Sequence, residues 1–208
     1  MKTIVLGKFS AICLSVMIAA NQAQLSRSQA LVGLKVGEAS ATLARLGPPA
    51  ESEIYKGMSV RRWNLPNGNE LSVTVGKEGK IVYIESDWDG KSDNAGCDLP
   101  GLHFGLTTLA ELRKRFGSNG FGFKGRGPGA QTLDGLVMMN SFEVGTSVIT
   151  FYTKINEDEF QRIKASGTNL SPADYAKLDA ISVADDAYAN SEWGDRVYDP
   201  AYKRIKWK

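Results

Sequence analysis

One histidine and two cysteines are all that 208 residues supply for imidazole and thiol chemistry. Without a partner for His103 a conventional zinc site is excluded, and no thiol–imidazole pair is expected. Counting alone leaves a Ser-His-Asp arrangement open, but the chain has no Gly-x-Ser-x-Gly elbow. His103 also stands where a second copy of the same short motif carries Lys35, which marks a scaffold position rather than a general base. The chain is therefore read as not an enzyme, with no catalytic residue, no metal and no cofactor.

Excess charge and long apolar runs are scarce as well. The apolar run Phe9–Ala20 is too short for a membrane-spanning helix, which needs about 20 apolar residues. Preceded by Lys2 and Lys8 and followed by small and polar residues through Ala23 and Gln24, it has the layout of a secretory signal peptide, cut after Ala20 or Ala23. Removing residues 1–23 leaves 208 − 23 = 185 residues and lowers Lys plus Arg from 25 to 23, equal to the 23 of Asp plus Glu. A neutral mature chain has no general attraction for nucleic acid or anionic membrane. Stable membrane insertion is not expected, and the compartment is periplasmic or secreted.

Export also changes the cysteine count. Cys13 is removed with the signal; the preceding Ile12 and the continuing apolar run argue against lipid attachment there. Cys97 then remains alone, so no intramolecular disulfide can form and packing must stabilise the fold. A dimer bridged through Cys97 stays open.

What the chain does have is a stretch used twice. Gly33-Leu34-Lys35-Val36-Gly37 precedes a short helical pattern ending at Leu46-Gly47-Pro48, and Gly101-Leu102-His103-Phe104-Gly105 precedes a longer one ending at Phe116-Gly117. Such self-similarity sets the architecture. In the first copy, strands are expected over Ser52–Lys56, Met58–Leu65, Leu71–Val75 and Lys80–Ser86. Residues 71, 73 and 75 alternate with Ser72 and Thr74, as in a strand with one wet face. In the second, Thr107 or Thr108 caps a helix with Glu111 in a capping box, and strands are expected over Phe121–Lys124, Leu136–Val144, Ser147–Ile155 and Lys177–Ala184. The loop Lys124–Gly129 lacks a P-loop ending and reads as a hairpin connection; the acidic groups at residues 87–93, 157–159 and 185–186 read as solvated loop charge. The expected organisation is a signal peptide (1–23), a first helix-plus-sheet repeat (31–90), a linker (91–100), a second repeat (101–184, with an insertion at 156–176) and a C-terminal extension (185–208). Within the extension, Tyr202–Trp207 is expected to add an edge strand. The fold class is α+β: two tandem units, each a short helix packed on a four-stranded antiparallel sheet.

The Gly-apolar-x-apolar-Gly entry, the short helix ending in apolar-Gly and the four strands closing on a Lys-apolar segment resemble the envelope-protein superfamily of BamE (SmpA/OmlA) and the β-lactamase inhibitor protein. Residues 31–86 and 101–184 carry the resemblance, and two tandem units look like the inhibitor. The resemblance implies an exported tandem sheet that offers an extended face to another protein. Arg61 and Trp63 share one strand face, Tyr83 shares another with Glu85, and Trp88 stands in the connecting segment, where it is expected to be exposed. Arg, Trp and Tyr are enriched in binding hot spots, so these four are the expected partner-binding residues. The expected function is an exported bacterial protein-binding module, inhibitor-like in its most concrete version, whose partner is another exported or envelope protein. An envelope-assembly or cell-wall-associated scaffold and a small-molecule binding protein are the alternatives.

Overall fold

The computed structural model describes residues 30–91, 99–126, 129–167 and 171–204. The expected signal segment, Cys13, Cys97 and Gly127-Pro128 lie outside the described residues. A short hairpin of β1 (Ala30–Leu31) and β2 (Leu34–Lys35) leads into a 3-10 helix over Ser40–Leu46. Strands β3 (Glu51–Tyr55), β4 (Met58–Asn64), β5 (Glu70–Val75) and β6 (Ile81–Asp87) follow. The second half begins with helix α1 (Leu109–Phe116) and continues through β7 (Phe121–Phe123), β8 (Gly129–Thr132), β9 (Gly135–Val144) and β10 (Ser147–Asn156). Helix α2 (Glu157–Ala165) and a 3-10 turn over Pro172–Asp174 then precede β11 (Lys177–Asp185), helix α3 (Asp186–Trp193) and β12 (Arg196–Tyr198).

The fold is α+β, and its main sheet has ten antiparallel strands in the order β12-β7-β9-β10-β11-β6-β5-β4-β3, with β8 paired to β9 off this path. β6 pairs with β11 from Ala180↔Asp87 to Ala184↔Tyr83, so the halves share one sheet instead of having one each. Local chemistry explains the two helices before the strands. Thr108 accepts from the Glu111 N–H and the Glu111 carboxylate accepts from the Thr108 N–H, a complete capping box, and Gly117 at φ 72° closes α1. The earlier helix has Ala39 at its start, with no side-chain cap, and Gly47-Pro48-Pro49 beyond its end; it is a seven-residue 3-10 segment. At the β3–β4 turn, Lys56 (φ 51°) and Gly57 (φ 76°) are both left-handed, as a two-residue hairpin with the right strand twist requires.

The entry segments make parallel sets of contacts. Gly37 N–H donates to Ile81 O at 2.8 Å, and Gly105 N–H donates to Leu178 O at 2.8 Å. Ala39 bridges Lys80, and Thr108 bridges Lys177. Arg45 reaches back to the Gly33 carbonyl, and Arg115 to the Pro100 carbonyl.

Alternation along the strands divides the sheet into two faces. The first packs Trp63, Leu71, Val73, Ile84, Phe151 and Ile181 with Leu43 of the first helix and Leu112 of α1 in the main core. The second carries a smaller aromatic cluster of Phe121, Phe123, Trp193, Tyr83 and Tyr188 under α3. Helix α3 is absent from the sequence expectation. Asp185, expected as solvated loop charge, is its N-cap and accepts from the Ala187 and Tyr188 N–H groups. The C-terminal edge strand also lies earlier than expected. β12 pairs with β7, whereas Tyr202–Arg204 is irregular and residues 205–207 lie outside the described residues.

Tyr202 and its neighbours are held differently, by a buried carboxylate. Glu143, 6% exposed, accepts from Arg196 Nη1 (2.5 Å), Tyr198 OH (2.8 Å) and Arg204 Nε (2.6 Å), and its N–H donates to Tyr202 OH (2.9 Å). Burial alone would raise its pKa. The hydrogen bonds from Arg204, Tyr198 and Arg196 outweigh that and hold it below the usual glutamate value.

Trp88, expected to be exposed, is half-buried and packs against the main core, with its indole lying over Gly105. A Cβ at Gly105 would come within 2.3 Å of the Trp88 ring at a φ of +71°. Gly105→Ala should therefore cost more than the roughly 1–3 kcal/mol of left-handed strain alone. Gly117→Ala, at φ +72° with no atom within 4 Å, should cost only that strain. Urea unfolding of both variants checks this: equal losses of stability would show that the indole does not depend on the glycine.

Candidate functional site

The register of six strands lays a polar row across the second face. Arg62 of β4 pairs with Ser72 of β5, and Ser72 with Glu85 of β6. The row continues from Glu85 to Ser182 of β11, from Ser182 to Thr150 of β10 and from Thr150 to Ser141 of β9. Ser182, Thr150 and Ser141 are buried, and the last two share a hydroxyl–hydroxyl hydrogen bond of 2.8 Å. One step along the strands runs a second row: Glu70, Asp87, Ala180, Tyr152 and Met139.

Glu85 is the centre of this face. Tyr83, two residues earlier on the same strand, donates its hydroxyl to the Glu85 carboxylate, and the Tyr152 hydroxyl lies 3.4 Å from that of Ser182. Burial raises the Glu85 carboxyl above its usual range; the Tyr83 hydrogen bond and the Arg126 charge partly counter it. Burial and the Glu85 charge in turn push Tyr152 up to about 12 and Tyr83 well above the ordinary phenol value, so both stay protonated donors. Beside them Arg126 lies over the Trp193 ring at 4.9 Å. Between Arg126, Trp193, Tyr152, Met139, Ser141 and Thr150 is a notch with a free volume of ≈ 10 Å³. That is room for about one water. It can admit the tip of a side chain, not a small-molecule ligand.

At the other end of the face is an acidic group. Asp87 is half-buried, and its carboxylate makes no hydrogen bond or ion pair among the described residues. Burial and then the charges of Glu85, Glu70 and Asp179 push it up to about 7. Asp179 is the extra residue of a β-bulge, where the pairing moves from Tyr152↔Ala180 to Thr153↔Leu178. Its own carboxyl is raised by burial, with the Lys154 charge opposing. Among the described residues no group of three or more His, Cys, Asp or Glu is arranged to hold a metal ion.

Of the four residues singled out from the sequence, Tyr83 lies on this face. Arg61 and Trp63 point to the opposite, helix-covered side. Trp63 is 5% exposed and donates its indole N–H to Gly47 O at 3.1 Å, while Arg61 Nε donates to Ser59 Oγ at 3.1 Å. Together with Leu43 and Pro49 they line an open groove beside the 3-10 helix. Trp63 and Trp88 are thus packing residues, and truncating them would report on folding before binding. Glu85, Asp87, Arg126, Tyr152 and Trp193 were not anticipated. Period-two parity from Tyr83 already placed Glu85 and Asp87 beside it, but the others arrive by long-range pairing. His103 is exposed in the loop before α1, where its N–H donates to Thr107 Oγ1 at 2.9 Å.

The Asp87 carboxyl gives a signed prediction. Its folded-state value lies above the ordinary 3.8, so its proton stabilises the fold below about pH 4, and that contribution is lost as pH rises through about 7. Asp87→Asn should gain stability relative to the parent at pH 8, by on the order of 1 kcal/mol after solvent screening, and little at pH 4. Denaturant midpoints across this range test it; a gain that does not grow with pH would place the titration elsewhere.

Comparisons with known proteins add similarity of shape only. No protein-family model matches the chain, and no curated protein does. Among solved structures it is similar to a DUF4309 family protein (YjgB) from Bacillus subtilis, with 13% identity and a TM-score of 0.46 over 79% of this chain and 92% of that one. It is also similar to an extracellular protein containing an SCP domain from Bacillus anthracis, with 12% identity and a TM-score of 0.40. That match covers 98% of this chain but 56% of the other. No helix among the described residues is long and apolar enough to cross a membrane.

Proposed function

We propose that this chain is an exported, non-catalytic protein-binding module that receives another exported or envelope protein on the second face of its sheet. The observation that carries the reading is the composition of that face. Tyr83, Tyr152 and Arg126 gather around Glu85, Met139 lies beside Tyr152 at a notch too small for a ligand, and the buried Trp193 supports Arg126 from beneath. Tyrosine, tryptophan and arginine are the residues that anchor protein interfaces, because each buries much area and keeps a polar handle. Met139 adds an adaptable apolar contact.

The module is built from two tandem copies of one helix-plus-sheet unit. The matching bonds Gly37 to Ile81 and Gly105 to Leu178, and the matching reach of Arg45 and Arg115 to their entry loops, support this reading. So does the segment from α2 to the 3-10 turn, which lies between β10 and β11, where the first half has only a tight turn. Export rests on the layout of residues 1–23. An inhibitor-like role is the most concrete version: a rigid sheet face set against one surface of its target.

A pull-down from bacterial envelope extract tests the proposal, with Tyr152→Ala beside the parent protein and the fold checked by circular dichroism. The expected result is one stoichiometric partner for the parent and at least tenfold less of it for the variant, the loss typical of an interface anchor. Equal capture by the two, or no partner for either under gentle conditions, would count against binding through this face.

A further inference from the structure

We propose that the outer edge of β3 and the groove beside it receive an extended segment of another protein, with a carboxylate for Arg61 and an aromatic ring for Trp63. The segment pairs antiparallel with β3. This site goes beyond the second-face reading and is independent of it, since it lies at the end of the sheet and on its helix-covered side.

The other half of the protein already holds such a segment. Starting from the matched bonds to Ile81 and Leu178, the pairings Ile84↔Val73↔Arg61 and Ile181↔Phe151↔Asn140 make Arg61 the counterpart of Asn140. Trp63 then corresponds to Phe142. Through Glu51↔Arg62 and Phe121↔Ser141, β3 corresponds to β7. But β7 is not an edge, because the C-terminal extension lies along it: β12 pairs with it, Lys124 N–H donates to Asp195 O at 2.9 Å, and Asp199 N–H donates to Gly120 O at 3.0 Å. Beyond β12, Asp199 accepts from Asn119 Nδ2 at 2.7 Å, its charge acts on Arg113, and the Tyr202 ring packs against Phe142.

In the first half the corresponding places are open. β3 ends the sheet, and all five of its residues are exposed, Ile54 by 74% and Tyr55 by 50%. The two-residue turn makes Tyr55↔Met58 a bonded pair, so by alternation Ser52 and Ile54 turn their N–H and C=O groups away from β4. Lys124, the counterpart of Ile54, uses its N–H in that direction for the extension. Beside the edge, Leu43, Ala44, Pro49, Arg61 and Trp63 line a groove with a free volume of ≈ 360 Å³. Where α1 has Arg113 after Leu112, the first helix has Ala44 after Leu43, and the guanidinium comes from the strand instead, as Arg61. Its Nε donates to Ser59 Oγ, and it makes no ion pair among the described residues. Arg62, on the opposite face, has Glu51, Glu53 and Glu70. A guanidinium steadied at one nitrogen suits a carboxylate, and an open edge suits a strand. A second copy pairing edge to edge would bring no carboxylate to Arg61, because β3 carries Glu51 and Glu53 on the Arg62 side.

The probe is a blocked synthetic peptide with the sequence of residues 195–202, which carries the acid and the rings; on β3 its arginine would stand opposite Glu53, the counterpart of Phe123. It is titrated into the isotopically labelled full chain and followed by amide shifts. Shifts are expected over residues 50–55 and at the Arg61 Nε–H. Binding should be weaker by about fivefold or more for a peptide with asparagine at the position of Asp199, for one N-methylated at the position of Val197, and for the Arg61→Gln protein. The altered peptides leave the folding of the protein untouched. Shifts confined to β7 and β12 would overturn the inference by showing exchange with the protein's own extension, and so would equal binding of either altered peptide or no shifts at millimolar peptide. A dimer in sedimentation that the peptide fails to dissociate would also overturn it, in favour of a second copy on β3. None of these outcomes bears on the Tyr152→Ala pull-down, so either proposal can fail alone.

Discussion

The pairing of β6 with β11 is the contact on which the rest depends. Each strand is the inner border of its half in the sheet, and each would be an exposed edge if the other were removed. Joined, they put Ile84 opposite Val183 and Ser86 opposite Ile181 on one side, and Glu85 opposite Ser182 on the other. The first set closes a core that runs under both the 3-10 helix and α1. The second completes the polar row. One register therefore fixes the packing and the candidate site together, and a slip of one residue would exchange them.

The two faces solve different problems. The helix-covered side is saturated with apolar contacts, and even its tryptophan finds an acceptor in Gly47. The other side is only partly roofed by α3, and there the protein keeps groups that cost stability: a raised glutamate, an unpaired aspartate and a bulged strand. Costs of this kind are concentrated where a surface has work to do. The far edge shows the contrast, since Glu143 is less exposed but surrounded by donors, and its pKa moves the other way.

Much of the fold was legible because alternation survives in nearly every strand. The eight strands expected in the two repeats fall within a residue or two of those observed, though the C-terminal edge strand does not, and the capping box at Thr108 and Glu111 is complete. The choice of face was not legible. Parity tells which residues of β4 lie together, Ser59 with Arg61 and Trp63, but not which side a helix will cover, and both sides of that strand carry an arginine. Trp88 looked exposed because two aspartates flank it; a bare glycine seventeen residues later, Gly105, makes room for its ring. Helix α3 was hidden because Asp185-Asp186 reads equally as a loop or as a cap. The candidate site combines residues from both halves of the chain, and only long-range pairing brings Asp87 next to Ala180 and Asp179.

The seam between β6 and β11 also imposes an order in time. During synthesis β6 emerges early, and its partner does not exist until most of the second half has followed. In that interval the outer edge of β6 is an open template, and the core under it lacks Ile181 and Val183. A chain made in this direction leaves that edge open to wrong pairing until β11 arrives. The sheet is thus a device that cannot be assembled in halves, and its vulnerable moment comes before the protein has any surface to offer.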